Sequence, residues 1–304
     1  MKRVLNIITL LLSLVLLFSG CSDVNFDNEP VVLSSIDSFE NSSSAPEEES
    51  SSEVEESSSA PEESSSEPTA PPVSSIPVID NPPPSLPPQT GPITPDGSKV
   101  CYLTFDDGPS DNTLLILDIL EEYDVKATFF VIGAAKTEYL PMIAEKGHAI
   151  GVHSWSHNYA IYRSVDSFFS DFQKISDEIS GKTGITPEIM RFPGGSSNTI
   201  SKSYCVGIMR TLTNEVVNRG YSYFDWNVSS GDATTGYVPK ERIVNNVLNG
   251  AKNKKTICVL MHDTAAKTTT VEALPEIIEG LIYQGFVFEV LTKDSYGFRH
   301  GVNN

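Results

Sequence analysis

Residues 99–109 read KVCYLTFDDGP. A mostly apolar run with strand character leads into two adjacent carboxylates, Asp106 and Asp107, and Gly108-Pro109 then turns the chain. The same pattern returns downstream. Apolar runs at 127–132, 148–152, 188–191, 221–226, 256–261 and 286–290 alternate with helical periodicity at 112–123, 135–146, 166–182, 203–219, 239–252 and 271–284. Continuous apolar strands separated by helices indicate a mostly parallel sheet covered on both faces. Roughly seven β/α units fit either an open doubly wound sheet or a barrel, and periodicity leaves that choice open. The unusual polar residues fall at or just after the C-terminal ends of the strands, where both architectures build their active sites.

Outside this region the composition changes. The 304 residues carry 21 Lys+Arg against 40 Asp+Glu, a formal charge of -19, but residues 22–97 hold 16 acids and no Lys or Arg. Residues 98–304 hold 24 acids and 19 bases, so the acidity says little about a folded surface. No basic cluster exists to neutralise phosphates, which excludes nucleic-acid binding. The segment 22–97 is dominated by Ser, Glu and Pro, repeats APEE at 45–48 and 60–63, and has few apolar side chains. It cannot bury enough surface to offset its ordering entropy and is expected to be a disordered linker, with a coil span of ~50 Å. Residues 98–304 are long enough for one core and are read as a single catalytic domain.

The N-terminus reads as an export signal over residues 1–21. Lys2 and Arg3 precede an apolar run from Val4 to Phe18, too short to span a bilayer, and Ser19-Gly20-Cys21 follows. The small pair before the cysteine resembles a bacterial lipobox, which implies lipidation of Cys21 and a lipid anchor in the membrane. The domain is then expected at the outer face of the cytoplasmic membrane or in the cell wall, as a monomer. The other cysteines, Cys101, Cys205 and Cys258, have no paired spacing and are read as free thiols, Cys101 and Cys258 buried in strands.

Among the five histidines, His153 and His157 lie in GVHSWSH directly after a strand. An i, i+4 pair on a helical turn can present two imidazoles to one metal, although that spacing is as often incidental. Asp106 and Asp107 alone would pass for a solvated turn, yet neighbouring anions without a nearby base are costly unless exposed or bound to a cation. If one coordinates a metal with the two histidines, the other is free for proton transfer. His262 follows the strand ICVLM, Arg191 ends another strand before Pro-Gly-Gly, and Asp225-Trp226 closes YFDW. His148 and His300 lack suggestive companions and are assigned structural or surface positions.

TFDDGP at 104–109, HSWSH at 153–157, RFPGG at 191–195, FDW at 224–226 and LMH at 260–262 occur in the order found in the polysaccharide deacetylase (NodB-homology) family of carbohydrate esterases, which residues 98–304 resemble throughout. The resemblance implies an α/β fold, a distorted (β/α) barrel of about seven units. It implies a divalent metal, Zn2+ in the first instance with Co2+, Ni2+ or Mn2+ as alternatives, held by Asp107, His153 and His157. Asp106 is then the catalytic base oriented by Arg191, His262 the general acid held by Asp225, and Ser154 a support for the ligand loop. Gly194 supplies an oxyanion N–H, and Trp226 and Leu260 wall the acetyl pocket. Two positions depart from the family pattern: Gly194 stands where a tyrosine is common, and Ser222 where some members carry an aspartate.

The implied substrate is an acetylated polysaccharide, with N-acetylglucosamine of peptidoglycan the nearest N-acetylated polymer to an anchored domain. N-Acetylmuramic acid, an N-acetylglucosamine exopolysaccharide and acetylxylan are alternatives within the same chemistry. A non-catalytic wall-binding lipoprotein is the alternative from another class.

Overall fold

Alternation along the strands explains the whole layout of the domain. The computed structural model describes residues 99–304 apart from Thr235; the signal segment 1–21, Cys21 and the linker 22–97 lie outside the described residues. In β1 (Lys99–Asp106), Val100 and Tyr102 pack into one apolar cluster while Cys101, Leu103 and Phe105 pack into another. Side chains leave a strand on alternate faces, so one set fills the barrel interior and the other meets the helices. Thr104 and Asp106 continue the interior set, which places Asp106 at the top of that column.

The other strands follow the same parity. They are β2 (Thr128–Ile132), β3 (Ala149–Ser154), β4 (Ile189–Met190), β5 (Ser222–Tyr223), β6 (Val228–Ser229), β7 (Thr256–His262) and β8 (Phe286–Phe288). They pair in the order β5-β4-β3-β2-β1-β7-β6, with β8 on β1, and every pairing is parallel. β2 takes the upper half of one β1 edge, from Thr104 to Asp106, and β8 takes the lower part, from Lys99 to Cys101. The two ends of the path, β5 and β6, are consecutive in sequence, so the sheet curls into an incomplete barrel. This resolves the choice between open sheet and barrel in favour of the distorted (β/α) barrel. Register in β7 sets Cys258 opposite Tyr102, Leu260 opposite Thr104 and His262 opposite Asp106. His262 therefore reaches the same rim as Asp106.

Among the described residues, six helices cover the outside: α1 (Asp111–Glu122), α2 (Leu140–Glu145), α3 (Val165–Thr183), α4 (Ile208–Asn218), α5 (Lys240–Ala251) and α6 (Thr268–Tyr283). Ser110 starts α1 immediately after the Asp106-Asp107 turn; its hydroxyl accepts from Asn112 N–H, and its own N–H donates to Thr113 Oγ1 at 2.7 Å. The boundaries differ from periodicity in a few places. The helix expected from 203 begins only at Ile208, because Gly207 adopts φ 82 before it. The strand expected over 221–226 pairs only at Ser222 and Tyr223, because the carbonyls of Phe224 and Asp225 accept hydrogen bonds from Arg191 instead. Val228–Ser229, a two-residue strand beside β7, carries too short a pattern to be read from sequence. Among the described residues, no helix is long and apolar enough to cross a membrane.

Candidate active site

Asp107 is the first residue beyond β1 and adopts φ 71, a left-handed conformation that swings its carboxylate away from the strand direction. Its Oδ1 lies 3.2 Å from His153 Nε2 and 3.1 Å from His157 Nε2, and the three ligand atoms all lie within 4.8 Å of one another. The oxygen is buried and accepts no hydrogen bond of acceptable geometry. His153 Nδ1 lies 2.8 Å from the Arg191 carbonyl, which can only accept, so this nitrogen carries the proton and Nε2 offers a lone pair. Three donor atoms thus face a common point with nothing between them, an arrangement that repels itself unless a cation fills it. Two imidazoles and one carboxylate suit zinc or another borderline divalent ion. Burial opposes ionisation of Asp107, but whenever the imidazoles are protonated their hydrogen bonds and charge outweigh it and hold the carboxyl well below the usual range.

The histidine pair does not sit on a helical turn, as its i, i+4 spacing first suggests. His153 is in β3, and His157 lies in the loop beyond it at φ 49, the rings 5.3 Å apart. The loop is tied from within by Ser154, whose Oγ accepts from His157 N–H at 2.9 Å. It is tied from outside by Asp171 of α3, a residue the motif reading missed. Asp171 Oδ1 accepts from Ser154 Oγ and Trp155 N–H, both at 2.7 Å, and Oδ2 accepts from Ser156 N–H at 3.0 Å. Its signal in the sequence is an acid within the apolar stripe Phe168, Phe172, Ile175, Ile179 of an amphipathic helix.

Asp106, beside the donor cluster, accepts from Arg191 Nη1 at 2.7 Å. Arg191 is fully buried, and its donors go to Phe224 O, Thr104 Oγ1, Asp106 Oδ1, Asp225 O and Cys258 Sγ. Every N–H of the guanidinium is used, so its orientation and hence that of Asp106 is fixed. The guanidinium also stands 4.3 Å from the Phe130 ring centroid.

Asp225 does not hold His262. Its side chain accepts instead from Ser196 N–H at 2.8 Å, from Ser196 Oγ, and from His300 N–H at 2.8 Å. Phe224 fills the barrel interior, so the next side chain leaves on the opposite side and ties the C-terminal segment to the loop after β4. The partner of His262 is Asp232, in the loop after β6: Oδ1 is 2.8 Å from His262 Nδ1, and Oδ2 accepts from His262 N–H at 2.8 Å and Thr270 Oγ1 at 2.9 Å. Burial works against the imidazolium, but the hydrogen bond and charge of Asp232, joined by Asp106 and Asp107, push His262 up to about 9. His262 Nε2 is 4.0 Å from Asp107 Oδ2, so its free end points at the donor cluster.

The remaining predicted residues are Gly194, Trp226 and Leu260. Gly194 and Gly195 adopt φ 76 and φ 80. A Cβ on Gly195 would lie 3.1 Å from the Trp226 ring, and one on Gly194 would lie 3.0 Å from the Tyr159 hydroxyl. Leu260 is buried but belongs to neither apolar cluster, consistent with its lining the rim. His300, assigned no role from sequence, donates from Nε2 to Trp226 O at 2.7 Å, has Nδ1 3.2 Å from Ser197 Oγ, and packs edge-on against the Trp226 ring, centroids 4.8 Å apart. His148 is buried at the opposite end of the sheet, and Cys101, Cys205 and Cys258 are free thiols.

Comparison with known proteins identifies the family. Residues 94–206 match the family model for polysaccharide deacetylase. A peptidoglycan-N-acetylglucosamine deacetylase of Bacillus cereus is 33% identical over 205 residues, covering 65% of this chain and 71% of that protein. The peptidoglycan-N-acetylmuramic acid deacetylase PdaC of Bacillus subtilis is 33% identical over 193 residues, covering 62% of this chain and 37% of that protein. The crystal structure of the catalytic domain of peptidoglycan N-acetylglucosamine deacetylase from Eubacterium rectale superposes with TM-score 0.66 at 45% identity, covering 68% of this chain and 95% of that one. A site of Asp107, His153 and His157 on a curled parallel barrel, with these relatives, places the chain in the polysaccharide deacetylase family.

Proposed function

We propose that this deacetylase removes N-acetyl groups from N-acetylglucosamine of peptidoglycan, with a divalent ion, Zn2+ in the first instance, held by Asp107, His153 and His157. The observation that carries the reading is the unpartnered Asp107 Oδ1 facing two imidazoles, with Asp106 and His262 on either side. A bound divalent ion would supply Lewis acidity, polarising the acetamide carbonyl and acidifying a water.

The side chains divide the proton traffic. Asp106, aligned by Arg191, takes the proton of the attacking water, and His262, held through Nδ1 by Asp232, delivers one from Nε2 to the departing nitrogen. That delivery is required because an amide anion is too poor a leaving group. The N–H of Gly194, on an exposed glycine, donates to the developing oxyanion, an interaction whose loss typically costs ~3 kcal/mol. Trp226, laid over Gly195, and Leu260 form the wall for the acetyl methyl.

Peptidoglycan is favoured by the activities of the Bacillus cereus and Eubacterium rectale relatives and by the export reading of residues 1–21. In the same reading Cys21 is lipidated, residues 22–97 link it to the catalytic domain, and residues 98–304 work as a monomer at the outer face of the cytoplasmic membrane or within the wall. N-Acetylmuramic acid is the second reading, favoured by the Bacillus subtilis relative. The test is acetate release from purified peptidoglycan, chitooligosaccharides and acetylated xylan, with metal content measured in parallel and the deacetylated sugar identified after digestion. Release confined to xylan, or metal retained without release from any of the three, would overturn the assignment.

A further inference from the structure

Of the two consecutive glycines in the loop after β4, Gly194 is exposed and Gly195 buried, and an aromatic side chain lies close to each. The Trp226 ring comes within 3.1 Å of where a Gly195 Cβ would lie, and the Tyr159 hydroxyl within 3.0 Å of where a Gly194 Cβ would lie. Gly194 is exposed, so a ligand lying on it is within reach of the Tyr159 hydroxyl, with Trp226 over the neighbouring Gly195. Tyr159 is half-buried and held in place. Its ring meets the His157 ring at 6.2 Å and the Tyr162 ring at 6.1 Å, and its backbone belongs to the 3-10 turn Tyr159–Arg163, which Asn158 caps by accepting from Ala160 N–H at 2.9 Å.

The hydroxyls of the two tyrosines in this turn differ. Tyr162 donates to Pro193 O at 2.8 Å and is fully buried. The Tyr159 hydroxyl makes no hydrogen bond to any described residue, although its ring is packed against the core. A phenol presented from a rigid turn into a cleft, with its donor uncommitted, is a preorganised contact for a polar ligand group.

We propose that Tyr159 is a substrate-positioning residue whose hydroxyl donates to the sugar carrying the reacting acetamide. With the acetyl methyl against Trp226, the sugar ring extends across Gly194 toward Tyr159, where its hydroxyls are the available acceptors. This inference rests on the N-acetylglucosamine reading above. It assigns Tyr159 to recognition of the sugar and not to the bond that breaks.

The experiment is Tyr159→Phe in the full chain loaded with zinc, assayed on tetra-N-acetylchitotetraose and on 4-nitrophenyl acetate, an activated ester with no sugar. The variant should lose ~5–10-fold in kcat/KM on the tetramer, mainly through KM, the size of one neutral hydrogen bond. Its rate on the aryl ester and its zinc affinity should stay within about twofold of the parent. An unchanged rate on the tetramer, or an equal loss on both substrates, overturns the role for Tyr159 while leaving the deacetylase reading intact. A parent chain that releases no acetate from the tetramer or from peptidoglycan overturns the N-acetylglucosamine reading, and this inference falls with it.

Discussion

His262 is held by Asp232 through two hydrogen bonds to one carboxylate, one from the ring and one from the backbone N–H, both at 2.8 Å. The pair joins the loop after β6 to the end of β7, 30 residues apart, and Thr270 of α6 adds a third donor to the same carboxylate. Such a bridge sets both the tautomer and the direction of the imidazole, leaving Nε2 to face the reacting atoms.

Asp232→Asn should therefore lower kcat by ~10²–10⁴-fold with zinc content unchanged, because an amide in that place cannot accept from all three donors. Asp225→Asn should instead lower the melting temperature, since it disturbs the contacts to Ser196 and His300, with a smaller effect on kcat. Steady-state kinetics, metal analysis and calorimetry on the two variants distinguish the roles. Equal kinetic losses in both would refute them.

Asp106→Asn should abolish measurable turnover, a loss of at least ~10²–10⁴-fold, while the metal stays bound. The variant retains a side chain of the same size beside Arg191 and leaves Asp107, His153 and His157 untouched. Acetate release and zinc titration are the measurements; full activity would remove Asp106 from its proposed role.

Asp171→Ala should weaken zinc binding by ~10–100-fold, although Asp171 lies in α3 and is no ligand. It removes the acceptor for Ser154 Oγ, Trp155 N–H and Ser156 N–H, and so frees the loop that carries His157. Competition with a chelator of known affinity reads this directly, and an unchanged zinc affinity would show that the loop holds its shape without the acid.

His148 should make stability depend on mildly acidic pH. Its Nδ1 accepts from Ala127 N–H at 3.1 Å, its Nε2 is buried without a partner, and the Phe129 ring packs edge-on against it. Burial, aided by Lys126 and Lys146 and opposed by Glu121, pushes its pKa down to about 4 from an ordinary 6.5. The unfolded chain thus binds the extra proton first. The contribution of the neutral ring is complete above pH 6.5 and declines as pH falls toward 4, a loss of about 2–3 kcal/mol. His148→Asn keeps an acceptor for Ala127 and cannot titrate, so its unfolding free energy should fall less than the parent's between pH 7.5 and 4.5. Parallel pH profiles for the two proteins would sink the prediction.

Much of the fold was legible because its signals are local. Each long strand and helix follows from a few consecutive side chains, and the alternation in β1 that separates barrel interior from helix-facing core is visible in KVCYLTFD itself. The short strands were harder. β4, β5 and β6 pair over two residues each, and Arg191 takes the carbonyls that would have extended β5. Two histidines and one of two adjacent carboxylates were likewise legible as a donor set from two short stretches; the resemblance pointed to Asp107, and the structure brings Asp107, His153 and His157 together. The partners of these residues were not, since Asp171 acts on Ser154 across 17 residues and His300 reaches Asp225 across 75.

The amino-acid sequence by itself determined the order of strands and helices and the chemical identity of the groups at the strand ends, because hydrophobic period and neighbouring residue type act over a few positions. Only the tertiary structure decided which carboxylate meets His262, which acid anchors the ligand loop and which ring stands over Gly194. Those choices depend on the direction a side chain leaves its strand and on where distant loops return. A one-residue change of face sends Asp225 to Ser196, and the loop after β6 delivers Asp232 to His262 in its place.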